Sequence, residues 1–146
     1  MNNSTIFHLA IPINDIQQAK TFYCDRLGCE AGRETDKALI LNVYGHQVVA
    51  HITDEPLIKQ KGIYPRHFGL IFLEEAHWQA LAERVKAQGI SFFIAPKWRF
   101  VGEITEHGTF FLEDPFSNYL EFKFYRHYEA IFGTKSFAAI GDRASR

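Results

Sequence analysis

FHLAIPINDIQQAKTFYCDRLG, residues 7–28, decides the fold, because RHFGLIFLEEAHWQALAERVKAQG, residues 66–89, repeats its plan. Each stretch reads as a short apolar strand, an acidic turn, an amphipathic helix and a closing glycine. Superimposed, His8 falls on His67, each at the start of a strand. A second match follows. ALILNVYGHQVVAHI, residues 38–52, parallels TFFLEDPFSNYLEF, residues 109–122, and in that superposition His51 falls on Glu121. Internal duplication puts equivalent positions in equivalent geometry, so four residues able to bind metal become candidates for one site.

Working outward, the first strand is expected at 6–12, and Asp15 is placed to cap a helix whose apolar face is Ile16, Ala19, Phe22, Tyr23 and Leu27. Gly28 stops that helix. Strands are expected at 30–35, 38–44 and 47–53, with turns at Asp36-Lys37 and Tyr44-Gly45-His46. DEPLIKQKGIYP, residues 54–65, has two prolines, a glycine and mixed charge, and reads as a linker. The second half is expected to run strand 66–73, helix 75–88, strand 90–94, an irregular stretch 95–108, and strands 109–113 and 119–125. A tail, 126–146, opens with a helical turn and ends in GDRASR, which reads as frayed. The chain is thus expected to be one α+β domain over 1–146, made of βαβββ modules at 5–53 and 66–125. The paired modules would form an open, curled mixed-sheet cup. Strand alternation puts His8, Ala10 and Pro12 on one side, and His67, Gly69 and Ile71 likewise.

Bulk properties exclude several classes of function. A net charge of −1 offers no basic face to nucleic acid or to anionic lipid. No apolar run approaches the roughly 18 residues of a membrane span, and MNNSTIFHL lacks the basic and hydrophobic regions of a signal peptide. The two cysteines, Cys24 and Cys29, have no metal-type spacing and read as reduced, structural thiols of a cytoplasmic protein. Most of the 14 phenylalanines are expected in core packing, with some walling an apolar cavity.

FHLAIPINDIQQAKTFYCDRLGC and FFLEDPFSNYLEFK together resemble the vicinal oxygen chelate superfamily, which includes glyoxalase I, extradiol ring-cleaving dioxygenases and the bleomycin and fosfomycin resistance proteins. The second stretch is similar to that family's F-x-x-D-P-x-G-N-x-x-E-F signature, with Ser117 where glycine is usual. The resemblance covers residues 6–125. It implies paired βαβββ modules, frequent homodimers and a divalent metal on the inner sheet faces, with His8, His51, His67 and Glu121 at the ligand positions. Glyoxalase-type members carry glutamate or glutamine at the position of His51, whereas extradiol-type members use only the equivalents of His8, His67 and Glu121. Two imidazoles and one carboxylate suit Fe(II). If His51 also ligates, Ni, Zn or Mn in an isomerase-type site is the alternative, and a small-molecule-binding protein of the resistance type is a third. The expectation is an Fe(II) dioxygenase-like enzyme acting on a small aromatic or vicinal-dioxygen substrate.

Other residues carry weaker signals. His51 is either a fourth ligand or a base. His107, Glu106 and Glu103 are candidate bases by position only. Arg99 has a planar fork suited to an anionic or dioxygen-bearing substrate, though an outward-facing arginine is an equal reading. Tyr119 and Tyr44 are phenolic donors or cross-strand packing groups. Trp78 reads as a core anchor and Asp114-Pro115 as turn chemistry.

Overall fold

A computed structural model describes residues 4–143, so the ends of the expected N-terminal segment and of the frayed tail lie outside the described residues. The chain divides into two compact units, Met1–Pro65 with Glu113–Asn118, and Arg66–Leu112 with Tyr119–Arg146. Among the described residues no helix is long and apolar enough to cross a membrane.

The first unit is built from β1 (His8–Ile13), a helix, and β2 (Glu30–Glu34), β3 (Ala38–Val43) and β4 (His46–Ile52). The strands make an open mixed sheet in the order β1-β4-β3-β2, with β1 and β4 parallel. Asp15 caps the helix by accepting the Gln18 N–H at 2.8 Å. The helix is α-helical only over Ile16–Ala19 (α1) and continues as a π-helix over Lys20–Arg26, where the sequence reads as one regular helix. Its apolar face is buried as the spacing requires, with Ala19, Tyr23 and Leu27 fully covered. The same core takes Ile11 and Ile13 from β1 and Val48 and Ala50 from β4.

The second unit repeats the plan with β5 (Phe68–Phe72), α2 (Glu75–Ala87), β6 (Ile94–Arg99), β7 (His107–Glu113) and β8 (Tyr119–Tyr125), in the order β5-β8-β7-β6. Trp78 on α2 is the anchor. It is 1% exposed, its indole N–H donates to the Phe122 carbonyl at 2.9 Å, and removing such a group costs about 3 kcal/mol or more. Gly108 makes room for it, since a Cβ there would stand 2.6 Å from the indole ring.

The strand expected at 90–94 lies instead at Ile94–Arg99, inside the stretch read as irregular. Pro96 has no N–H to give a ladder, which argues against a strand in the sequence. β6 is the outermost strand, however, and its register slips between Ile94 and Lys97, so the missing donor falls at a bulge on a free edge. This shift matters for function. It puts Arg99 and His107 on paired strands, directly opposite each other.

Candidate functional site

In both units one sheet face packs under the helix, and alternation sends every second side chain to the far face. In the second unit that far face gathers His67, just before β5, Glu121 and Lys123 from β8, Thr109 and His107 from β7, and Arg99 from β6. Glu121, Thr109, His107 and Arg99 are all buried. Such a concentration of buried polar groups is costly unless the groups satisfy one another or a ligand.

Glu121 is the centre of it. Its Oε1 lies 3.1 Å from His67 Nε2, and its Oε2 accepts the Thr109 hydroxyl at 2.6 Å. Arg99 Nη1 and Lys123 Nζ stand 3.7 and 4.0 Å from the same Oε2. Burial alone would raise the carboxyl pKa, but the bonds from His67 and Thr109 and the charge of Lys123 outweigh it and hold Glu121 down to about 2. The group is therefore an anion at neutral pH, suited to ligation and unsuited to storing a proton.

A divalent metal fits this pair. Two bonds of about 2.1 Å at a right angle span about 3.0 Å, close to the observed separation of His67 Nε2 and Glu121 Oε1. Thr109 fixes the carboxylate from behind, as partners of ligands commonly do. Among the described residues, however, no group of three or more His, Cys, Asp or Glu forms a metal-ligating cluster.

The far face of the first unit carries His8, whose Nδ1 lies 2.7 Å from Gln47 Oε1. An amide oxygen only accepts, so Nδ1–H donates and Nε2 is the ring nitrogen turned away from the amide. The ladder also corrects the superposition of His51 on Glu121. Gly69 pairs with Glu121, and its counterpart Ala10 pairs with Val49, whereas His51 pairs with Pro12 as Lys123 pairs with Ile71. Val49 thus holds the place of Glu121, and His51 the place of Lys123. Alternation tells which face a residue takes and is blind to a slip of two. A cavity of about 310 Å³ lies beside this face, lined by Gly32, Ile40, Asn42, His46 and Gln47 among others.

Of the remaining candidates, Arg99 points inward and is 6% exposed, which settles the choice against an outward-facing side chain. Tyr119 is buried against Phe93, with ring centroids 4.6 Å apart. Tyr44 donates to the Leu27 carbonyl at 2.9 Å and serves the hairpin. Glu106 is engaged by the Gly102 N–H at 2.9 Å and by Arg126. His107 donates Nδ1–H to the Thr105 carbonyl at 3.0 Å, and burial lowers its pKa. Thr109 was missed in the sequence. The signal available was its place on a strand facing that of Glu121, two residues beyond His107.

The turn before β8 is built by Asp114. One carboxylate oxygen accepts the N–H groups of Phe116 and Asn118, and the other accepts the Tyr23 hydroxyl at 2.5 Å and the Asn118 amide at 2.8 Å. Ser117 sits at φ +67°, which explains a preference for glycine there. Asp114 is thus a structural turn residue.

Comparison with known proteins gives one family. The model of the Glyoxalase/Bleomycin resistance protein/Dioxygenase superfamily matches residues 5–122. A crystal structure of a glyoxalase/bleomycin resistance protein/dioxygenase from Alicyclobacillus acidocaldarius is 40% identical, with a TM-score of 0.84 over 90% of this chain and 98% of that one. A fosfomycin resistance protein from Listeria monocytogenes shares the fold at 16% identity and TM-score 0.64, over 87% of this chain and 98% of its own. A lactoylglutathione lyase from Agrobacterium tumefaciens does so at 18% identity and TM-score 0.62, over 85% and 96%. No curated protein matches the chain.

Proposed function

The chain belongs to the glyoxalase/bleomycin resistance protein/dioxygenase superfamily, and from that premise we propose that it is a metal-dependent, Fe(II) dioxygenase-like enzyme. Its substrate is a small aromatic or vicinal-dioxygen compound. The ligands in this reading are His67 and Glu121 of the second unit, with His8 of the first as the third that the resemblance implies. What carries it is the His67–Glu121 pair, 3.1 Å apart with the carboxylate kept ionised.

The register favours three ligands over four, because Val49 stands where a second carboxylate would complete an isomerase-type set. We therefore leave His51 outside the ligand set. When bound, Fe(II) supplies Lewis acidity and one-electron chemistry at open coordination positions. The chain's own residues prepare the site for it. Gln47 holds the His8 tautomer with Nε2 turned away from the amide, and Thr109 aims the Glu121 carboxylate. Arg99 and Lys123 offset the anion and favour a substrate of negative charge. Tyr119 offers a phenolic donor.

Anaerobic purification with metal analysis tests this. About one iron per chain and oxygen uptake on catechols are expected, with metal affinity falling at least about 100-fold in His67→Ala and Glu121→Gln. His51→Ala should keep its metal. Nickel or zinc with isomerase turnover would overturn the dioxygenase reading, and a metal-free chain whose ligand binding ignores added metal would overturn both.

A further inference from the structure

Arg99 is left with more hydrogen-bonding capacity than the protein uses. Its Nε, Nη1 and Nη2 are all buried, and among the described residues none has a hydrogen-bond partner. Glu121 balances its charge from 3.7 Å, too far for a hydrogen bond, and the Glu121 oxygen concerned is already taken by Thr109. A guanidinium carries five N–H donors in a flat fork, and each one stranded away from water costs about 1–3 kcal/mol. Nothing in the fold requires that cost. A ligand bearing two acceptor oxygens removes it.

The neighbour in register is complementary. His107 faces Arg99 across the β6–β7 pair, which puts their Cβ atoms about 5 Å apart on one face. With Nδ1–H given to the Thr105 carbonyl, its Nε2 presents a lone pair, and that atom too is buried without a partner. Burial lowers the imidazole pKa, so the acceptor form persists at neutral pH. A fork of donors and a single acceptor thus stand side by side. The neighbours are aromatic. Arg99 lies 5.8 Å from the Phe111 ring centre, and the His107 ring lies 5.0 Å from that of Tyr125 and 6.0 Å from that of Phe100.

We propose that this pair is a recognition subsite for a hydroxycarboxylate, with the acid group held in the Arg99 fork and an adjacent hydroxyl donating to His107 Nε2. The reaction it serves rests on the enzymatic reading above, but the binding does not, because neither group is a metal ligand. Inorganic phosphate fills the fork and has a P–OH to give the imidazole, but it gains nothing from the aromatic rings around the pair. A neutral amide would offer one oxygen where two are wanted.

The test is calorimetric titration of chelator-treated protein with salicylate, benzoate, benzamide and inorganic phosphate. Salicylate should bind at least about fivefold tighter than benzoate, and benzoate at least about tenfold tighter than benzamide. Arg99→Lys keeps the charge that Glu121 needs but loses the fork, and should weaken salicylate at least about tenfold. His107→Phe should bring salicylate to the benzoate level and leave benzoate unchanged. Benzamide binding as well as benzoate, phosphate binding tighter than salicylate, or no salicylate binding at millimolar concentration would each overturn the assignment. These measurements contain no metal, so they stand or fall apart from the iron analysis.

Discussion

The far face of the first unit presents His8, Ala10 and Pro12 on β1 and Gln47, Val49 and His51 on β4, none of them fully buried. The same positions in the second unit hold His67, Gly69 and Ile71, then Tyr119, Glu121 and Lys123, and there the carboxylate and its partners Thr109 and Arg99 are enclosed. Strand order and register agree between the two. Duplication has therefore preserved the ladder and divided the chemistry. The second face carries the buried charge and the unmet hydrogen bonds, while the first offers the exposed imidazoles of His8 and His51. A scaffold repeated in backbone is free to specialise in side chains, because the ladder is made by groups that every residue has.

The comparison is tested most severely at Gly69. A Cβ there would collide with the backbone of Glu121, whereas its counterpart Ala10 carries a Cβ already. Gly69→Ala should cost about 3 kcal/mol or more, read as a lowered urea midpoint, against about 1 kcal/mol for Ala10→Gly. Equal costs would show that the two parallel strand pairs are built alike.

A smaller effect separates the two hairpin turns. The turn of the first is two residues, Tyr44 and Gly45, both at positive φ, and that of the second is organised by the Asp114 carboxylate with Tyr23 as a donor. Burial, then the adjacent Asp114, raises the Tyr23 pKa well above its ordinary value. The native state thus keeps a proton that the unfolded state releases near pH 10, so stability is present below that pH and lost as pH rises through it. Tyr23→Phe should cost about 1–2 kcal/mol at pH 7 and flatten the alkaline decline, as followed by thermal melts across pH 8–11. An unchanged alkaline slope would assign the decline elsewhere.

The smallest expected effect is at Ser117. Ser117→Gly relieves a positive φ at the cost of freedom in the unfolded chain, and should gain up to about 1 kcal/mol. A loss would mean that the serine side chain supports the turn.

Much of this was legible in the sequence because it is local. Asp15 before Ile16, Gly28 after Leu27 and the alternation through Leu120, Glu121 and Phe122 are short-range signals, and the structure reproduces each. The strand through Pro96 was not legible, since it is permitted only by an edge position that no neighbour in sequence announces. The place of His51 depends on where β4 starts against β1, some forty residues away, and periodicity cannot count that slip. The inward turn of Arg99 follows from the same misplaced strand. Thr109 as partner of Glu121 needed the pairing of two strands to be known first.

The bulge at Pro96 has a consequence for association. A bare strand edge is a template for another chain to add to, and two of the four terminal strands, β2 and β6, are unsuited to that. β6 breaks its own ladder at Pro96 and follows it with Lys97, while β2, EAGRE, is exposed at every residue and carries three charges in five positions. Copies of this chain that meet in solution are thereby steered away from continuing a sheet at β2 or at β6.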